Sequence, residues 1–281
     1  MPKGIALTIG LNSVDPAHYA GWSGDLNACE ADTEDMTSIG QSKRFSVTPL
    51  MTKAATRAAV INHISAAADE LKSGDIFMVS YSGHGGQVPD VNRDEEADDE
   101  DETWCLYDGQ LLDDELYNLW LKFKPAVRIL VFSDSCHSGT VTKMAYYREL
   151  GGPLTTATNK GANGVVYRYM PPDAALRTYR NNRPFYEELG KKVKRARVRS
   201  PLKSSVLLFS GCQDSQLSSD GTFNGAFTAQ LLRVWNEGRF KGDYRRFHKT
   251  ILRRMPPDQT PNCYYVGEPN AAFEAQTPFT I

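Results

Sequence analysis

Two short stretches of the chain carry residue types that together can break an amide bond. YSGHGGQ (81–87) places His84 between glycines, and VFSDSCHSG (131–139) places Cys136 directly after an apolar run. A thiol beside an imidazole can lose its proton at neutral pH and attack a carbonyl, and the same imidazole can then protonate the leaving amine. The N–H groups of Gly85 and Cys136 are suited to bind the resulting oxyanion. We therefore predict a catalytic dyad of Cys136 and His84.

Each of these residues also has an ordinary structural interpretation. A histidine beside glycine is often a plain loop residue, and a cysteine after a strand is often a small buried hydrophobe. His137 competes with His84 for the role of base, but the side chain next to Cys136 in sequence usually points elsewhere. The two stretches occurring together, each after a strand-like run, favour the catalytic interpretation.

The elements that must position these residues alternate along the chain. Five short apolar runs without strict polar alternation predict strands buried on both faces of a parallel sheet. These runs are 5–11, 46–50, 75–82, 127–135 and 205–211. Helical patterns fall between or after them, at 27–40, 52–74, 113–123 and 224–238. The alternation predicts βαβ crossovers and helices on both faces, with the reactive stretches at the carboxyl ends of their strands.

Residues 140–203 interrupt this pattern, because they are rich in Gly, Pro, Asn, Arg and Lys with weak apolar periodicity. We interpret them as a long, partly ordered loop or insert. The chain is thus predicted to be one domain, 1–281, in which 1–139 carries both reactive stretches and 204–281 follows the insert.

Composition excludes several function classes. The chain of 281 residues has a net charge of -2, which gives no support for a general nucleic-acid or membrane-surface role. Its five cysteines are odd in number and form no CxxC pair, which argues against a disulfide scaffold or a structural zinc site. No signal peptide and no run of about 20 apolar residues is apparent. We therefore expect a reduced, cytoplasmic protein.

The reactive stretches resemble a known family. YSGHGGQ and DSCHSG are similar to the His and Cys motifs of metacaspases and bacterial orthocaspases, which are caspase-like cysteine peptidases. GDLNACEADTEDM resembles a further metacaspase segment, with Ala28 and Thr33 where the family has glycine and alanine. SGCQDSQLSSD (210–220) and GAFT (225–228) resemble the start of the small-subunit region and its helix. The resemblance spans nearly the whole chain except 140–203 and the extreme C-terminus.

The resemblance implies the caspase-haemoglobinase fold, an α/β fold with a mostly parallel central sheet of about six strands and helices on both faces. It implies cleavage of protein or peptide substrates after Arg or Lys, and a monomeric enzyme. By resemblance, the pocket for the basic side chain uses Cys29, Asp32, Ser82 and Asp134. The chemistry agrees, since two carboxylates can hold a guanidinium. Asp214 is a further candidate acid, which is equally well explained by an Asx turn.

The acidic stretch that begins at residue 90 predicts a cation site. Clustered carboxylates repel one another unless a cation intervenes, and Ca²⁺ takes six to eight oxygen ligands. Metacaspases are often activated by calcium, and the resemblance points to Asp101, Asp113 and Asp114 as ligands. Lys143 stands where the family site can include an Asp, so a weaker or differently completed site is expected. A solvated surface loop is the alternative.

The basic run KKVKRARVR (191–199) lacks the aromatic interleaving of a nucleic-acid patch. An enzyme that cuts after basic residues could cut itself there, or after Lys143 or Arg148, although a solvated linker is an equally good interpretation. Two rival functions remain open. One is a catalytically idle caspase-like binding module, and the other is an Asn-specific or self-processing peptidase of the same fold.

Overall fold

The computed structural model describes residues 2–89, 100–135, 159–160, 165–197, 201–212 and 218–281. Within these ranges the strands are β1 (Gly4–Gly10), β2 (Ser46–Met51), β3 (Ile76–Ser82), β4 (Gly85–Pro89), β5 (Glu100–Leu106), β6 (Gly109–Leu112), β7 (Arg128–Asp134), β8 (Ser205–Ser210) and β9 (Asn262–Gly267). Each of the five predicted strands corresponds to one of these, with ends that agree to within one residue.

The helices of the same ranges are α1 (Cys29–Ser42), α2 (Arg57–Glu70), α3 (Asp113–Trp120), α4 (Pro172–Asn181), α5 (Arg183–Arg197), α6 (Ala226–Trp235), α7 (Tyr244–Leu252) and α8 (Ala271–Ala275). Local signals set several of their starts. Thr56 caps α2 by accepting from the Ala59 N–H, and Asp243 caps α7 by accepting from the Arg246 N–H. None of these helices is both long enough and apolar enough to cross a bilayer.

A six-stranded central sheet organises the molecule, in the order β2-β1-β3-β7-β8-β9. The first five strands in this order run parallel, and β9 is antiparallel to β8. A separate antiparallel sheet of β4, β5 and β6 follows β3. The predicted caspase-haemoglobinase fold, with a mostly parallel sheet of six strands, is confirmed.

Both faces of the central sheet are covered. Alternate residues of the parallel strands point to opposite faces. In β3, Phe77 and Val79 belong to the core beneath α2 and α3, and Met78 belongs to the core beneath α1, α6 and α7. This two-sided burial explains why the strand sequences are continuous apolar runs, and it leaves the strand ends as the place where polar side chains can gather.

Three features differ from the sequence-based expectations. Helix α1 continues past Gly40, where a stop was predicted. Gly40 is a close-packing position inside the helix, since a Cβ there would lie 2.9 Å from Val47. The insert 140–203 is not a loop throughout, since α4 and α5 both lie within it. The small β4-β5-β6 sheet was not predicted.

Candidate active site

The carboxyl ends of β3 and β7 are neighbours. The two strands pair in parallel, with Ser82 opposite Asp134. His84 stands two positions beyond Ser82, and Cys136 stands two positions beyond Asp134 in the sequence. Parallel strands in this register end at the same edge of the sheet. Cys136 and His137 lie outside the described residues, so the Cys136/His84 pairing stays a prediction.

His84 is buried and held by one ring nitrogen. Its Nε2 lies 2.9 Å from the Gly24 carbonyl oxygen, and the Trp22 ring packs against the imidazole with 4.7 Å between centroids. Gly24 adopts a φ of +57°, and a Cβ there would lie 3.1 Å from the imidazole, so glycine permits the close approach. With Nε2–H donating to Gly24, Nδ1 is left as the basic nitrogen. Nδ1 forms no hydrogen bond of normal geometry with the described residues, although the Tyr169 backbone lies close enough to raise the pKa of the imidazole.

Burial lowers the pKa of His84 to about 4, with a hydrogen bond to the Gly24 backbone partly opposing that effect. The imidazole is therefore neutral at physiological pH. A neutral, oriented imidazole with an available nitrogen is the form that a general base requires.

Three of the four predicted pocket residues surround a single guanidinium, which belongs to Arg168 of the same chain. Its Nη2 lies 2.8 Å from Asp32 Oδ2, and its Nη1 lies 3.1 Å from Asp134 Oδ2. Nη1 also donates to Ser82 Oγ at 2.7 Å. Arg168 is fully buried. The fourth predicted residue, Cys29, is buried beside this group, and burial raises the pKa of its thiol.

A further acid, Asp220, completes the cluster and was not predicted. Its Oδ1 accepts from Arg168 Nε at 3.2 Å and from Nη2 at 2.9 Å, and its Oδ2 accepts from the Asn27 N–H at 2.8 Å. The available signal was the motif SGCQDSQLSSD, whose last residue is Asp220. Asp214, the acid considered in that motif, lies outside the described residues.

The carboxylates of the pocket are also anchored by neutral donors. Asp32 accepts from Ser82 Oγ at 2.6 Å, and Asp134 accepts from Thr228 Oγ1 at 2.8 Å. The other donors to these two carboxylates are Asn224 Nδ2, the Gly225 N–H, the Thr228 N–H and Ser218 Oγ. Such donors keep the acids in place independently of the guanidinium.

Gly225 leaves space for the Arg168 guanidinium because it has no side chain. A Cβ at this position would lie 2.5 Å from Arg168 Cζ and 2.5 Å from Asp134 Oδ2. Both distances are shorter than carbon contacts allow. The pocket therefore needs glycine here for steric reasons.

The charges of the pocket influence one another. Burial raises the pKa of the Asp32 carboxyl, the Arg168 charge opposes this, and Asp134 adds to it. For Arg168, burial alone would lower the pKa, but the surrounding acidic groups hold it well above its ordinary value. The site therefore stabilises a permanently charged guanidinium and favours protonation of an acid when that charge is absent.

The backbone around Arg168 is bound in an extended form. On one side it pairs antiparallel with 218–220: the Arg168 N–H donates to Ser218 O at 2.9 Å, and the Asp220 N–H donates to Val166 O at 2.8 Å. On the other side the Gly85 N–H donates to Arg168 O at 3.0 Å, and the Met170 N–H donates to Gly85 O at 2.7 Å. The amide predicted to bind an oxyanion thus binds the carbonyl of the residue whose side chain fills the acidic pocket.

The predicted calcium ligands lie at the start of α3 and in β5. Asp101 and Asp114 are buried, whereas Asp113 is exposed. Within the described ranges, no group of three or more His, Cys, Asp or Glu side chains is arranged to hold a metal ion. Residues 90–99 and Lys143 lie outside those ranges, so the calcium site stays a prediction.

The predicted self-cleavage positions lie partly in a helix and partly outside the described residues. Residues 191–197 of the basic run are helical in α5, and a helix does not present its backbone in the extended form of the segment around Arg168. Residues 198–200, Lys143 and Arg148 lie outside the described residues.

Comparison with known proteins places these features in a family. The caspase domain family matches residues 3–273. The chain is 29% identical to Metacaspase-1 of Coccidioides immitis and 28% identical to Metacaspase-1A of Aspergillus terreus, in each case over 82% of its length. It spans 53% and 60% of the length of those two relatives. The crystal structure of protein GSU0716 from Geobacter sulfurreducens superposes with a TM-score of 0.89 at 60% identity, over 99% of both chains.

Proposed function

The chain belongs to the caspase domain family of cysteine peptidases, and from that premise we propose that it is an endopeptidase that cleaves after arginine or lysine. One observation carries the proposal. The Arg168 side chain fills a pocket of carboxylates while its carbonyl oxygen accepts from the Gly85 N–H, one residue from His84. This is the arrangement that a substrate with a basic residue before the cut would adopt.

The proposed chemistry uses a thiolate at Cys136. His84 Nδ1 accepts the thiol proton, the sulfur adds to the carbonyl carbon, and the Gly85 and Cys136 amides bind the oxyanion. The protonated imidazole then gives its proton to the leaving amine as the C–N bond breaks. Water hydrolyses the thioester, releasing the acid and restoring the thiol. The hydrogen bond from His84 to the Gly24 carbonyl supports this scheme, because it fixes the tautomer in which Nδ1 is basic.

We also propose that the chain cuts itself, after Arg168. The Arg168–Tyr169 peptide bond directly follows the bound side chain, and the described backbone on both sides is extended and hydrogen-bonded. The helical form of residues 191–197 argues against the basic run as the first site of cleavage.

Calcium stimulation is a third part of the proposal. Its support is chemical: Asp101 and Asp114 bring buried carboxylates next to an acidic stretch, and hard oxygen ligands suit Ca²⁺. The described acids do not form a complete ligand set, so any calcium site would need further oxygen ligands. We further propose that the enzyme acts as a monomer, which light scattering at working concentration would test.

The test is incubation of purified protein with and without Ca²⁺, followed by mass spectrometry of the new termini and assays on peptides with Arg, Lys, Asn or Asp before the cut. We expect cleavage after basic residues only, and a new N-terminus at Tyr169. The variant Cys136→Ala should abolish both activities without changing the circular dichroism spectrum. Retained activity in that variant would refute the assignment of the nucleophile.

The alternative of an idle binding module has one observation in its favour, since the pocket is filled by the chain's own Arg168. An arginyl chloromethyl ketone separates the two possibilities. The probe alkylates Cys136 in a competent peptidase and leaves it unmodified in an idle module.

A further inference from the structure

We propose that Asp220 is a specificity-determining residue that makes the pocket select arginine over lysine before the cut. The inference rests on the proposed function and extends it, because the predicted pocket did not include this residue. It follows from which guanidinium nitrogens each acid contacts.

The three carboxylates contact different sets of nitrogen atoms of the guanidinium. Asp32 and Asp134 contact only its terminal nitrogens, Nη2 at 2.8 Å and Nη1 at 3.1 Å. Asp220 Oδ1 contacts Nη2 at 2.9 Å and also the internal nitrogen Nε at 3.2 Å. Among the acids of the described chain, Asp220 is thus the one that contacts the position at which arginine and lysine differ most.

A lysine in the same pocket would lose this contact. Its side chain has a methylene group where arginine has Nε–H, and its single ammonium stands about where arginine has Cζ. That one group cannot reproduce the two bonds to Asp220 while also reaching Asp32 and Asp134. The Asp220 carboxylate would be left buried beside a CH₂ group, which is unfavourable.

Asp220 is also rigidly placed. Its side chain is 1% exposed, and its second oxygen accepts from the Asn27 N–H at 2.8 Å. Its own N–H donates to the Val166 carbonyl, so the backbone that carries the carboxylate pairs with the chain two residues before Arg168. The residue therefore binds the side chain and the backbone of the bound segment at the same time.

The experiment measures binding without turnover. In a Cys136→Ala, Arg168→Ala background, calorimetry compares acetyl-Val-Val-Tyr-Arg-amide with the same peptide ending in lysine. The first three residues and the arginine reproduce residues 165–168. We expect the arginine peptide to bind about 10- to 100-fold more tightly, the effect of losing hydrogen bonds to a charged group. Adding Asp220→Ala, or the conservative Asp220→Asn, should reduce that ratio to about 3 or less, chiefly by weakening the arginine peptide.

The control is Asp25→Asn, an exposed carboxylate that hydrogen-bonds Ser23 and should leave the ratio unchanged. Thermal melting confirms that each variant is folded. An unchanged ratio in both Asp220 variants, or a failure of the background protein to bind either peptide, would overturn the proposal. Cleavage is measured separately, on acetyl-Val-Val-Tyr-Arg-Tyr-Met-amide and its lysine counterpart, which extend through residues 169 and 170. If the protein with Cys136 intact cleaves neither of these but the binding ratio still depends on Asp220, the proposed peptidase activity fails and the selectivity of the pocket stands.

Discussion

Replacing Arg168 with alanine in a Cys136→Ala background should lower stability by a predictable amount. The guanidinium is fully buried and pairs with three carboxylates. Removing one partner of a buried ion pair typically costs about 3–5 kcal/mol, because the remaining charges are left uncompensated. Here the carboxylates keep neutral hydrogen-bond donors, so we expect the lower end, about 3 kcal/mol.

Differential scanning fluorimetry measures the loss directly. For a chain of this size, a change of about 3 kcal/mol corresponds to a fall in melting temperature of about 6–12 °C. The fall should be largest near neutral pH and shrink as the pH decreases. Burial raises the pKa of the Asp32 carboxyl and the Arg168 charge opposes this, so without the guanidinium protonation of Asp32 at low pH restores part of the stability.

An added guanidinium compound should restore part of the stability that Arg168→Ala loses. N-acetyl-arginine amide supplies a guanidinium without a tether, and at 100 times its dissociation constant it should restore about 2.7 kcal/mol. Arg183→Ala is the matched control, since Arg183 lies in the same insert but forms an exposed pair with Glu187 at 2.7 Å. If Arg168→Ala melts within 1 °C of that control, or if the amide gives no rescue, the ion-pair reasoning is wrong.

Three further predictions follow from other parts of the site. Gly225→Ala should lower kcat/KM for arginine substrates by about 10- to 100-fold, because the added Cβ occupies guanidinium space. His84→Gln should remove a pH dependence of stability: with the folded pKa lowered from 6.5 to about 4, the histidine contributes on the order of 3 kcal/mol that is present above pH 6.5 and lost as the pH falls toward 4. Asp114→Asn should weaken the response of peptidase activity to added Ca²⁺ after chelator treatment.

Each of these predictions has a clear contradictory result. Full activity of Gly225→Ala toward arginine peptides would show that the guanidinium binds elsewhere. For the pH effect, urea unfolding at pH 4 to 7 should separate His84→Gln from the parent, while exposed His63→Gln tracks the parent; parallel curves for all three would contradict the assigned pKa. Activity that is identical in chelator and in calcium would remove the metal from the proposal.

The strands of the central sheet were predictable because a strand that is buried on both faces is a continuous run of apolar residues. A run such as 75–82 is apolar on both faces, and its short length, its β-branched and aromatic residues and the flanking Gly74 and Gly83 favour a strand over a helix. The ends of helices were harder to predict. Gly40 resembles a helix stop signal in the sequence, but glycine is needed there because Val47 on a neighbouring strand packs closely against it. The sequence around Gly40 does not show this contact.

The helices and the pocket arginine of the insert 140–203 were hard to predict for a different reason. In α5 the apolar residues Tyr186, Leu189 and Val193 do follow helical spacing, but the many charges around them dilute the pattern. The role of Arg168 could not have been predicted from the sequence. It is one of several basic residues in the insert, and nothing in the neighbouring sequence indicates which distant acids it contacts. Asp32, Ser82 and Asp134 were accessible only through family resemblance, because they are separated by about 50 residues each and meet only after the sheet forms.

A side chain tethered within the pocket is a permanent competitor for any external substrate. Because Arg168 is part of the same molecule, its effective concentration at the acids is set by chain geometry and does not fall when the protein is diluted. Kinetic constants measured on the intact chain would then include the cost of displacing it, and the apparent KM would be the intrinsic value divided by the fraction of pockets that are open. Cutting or removing the tether should raise apparent affinity even though no contact with the substrate has changed.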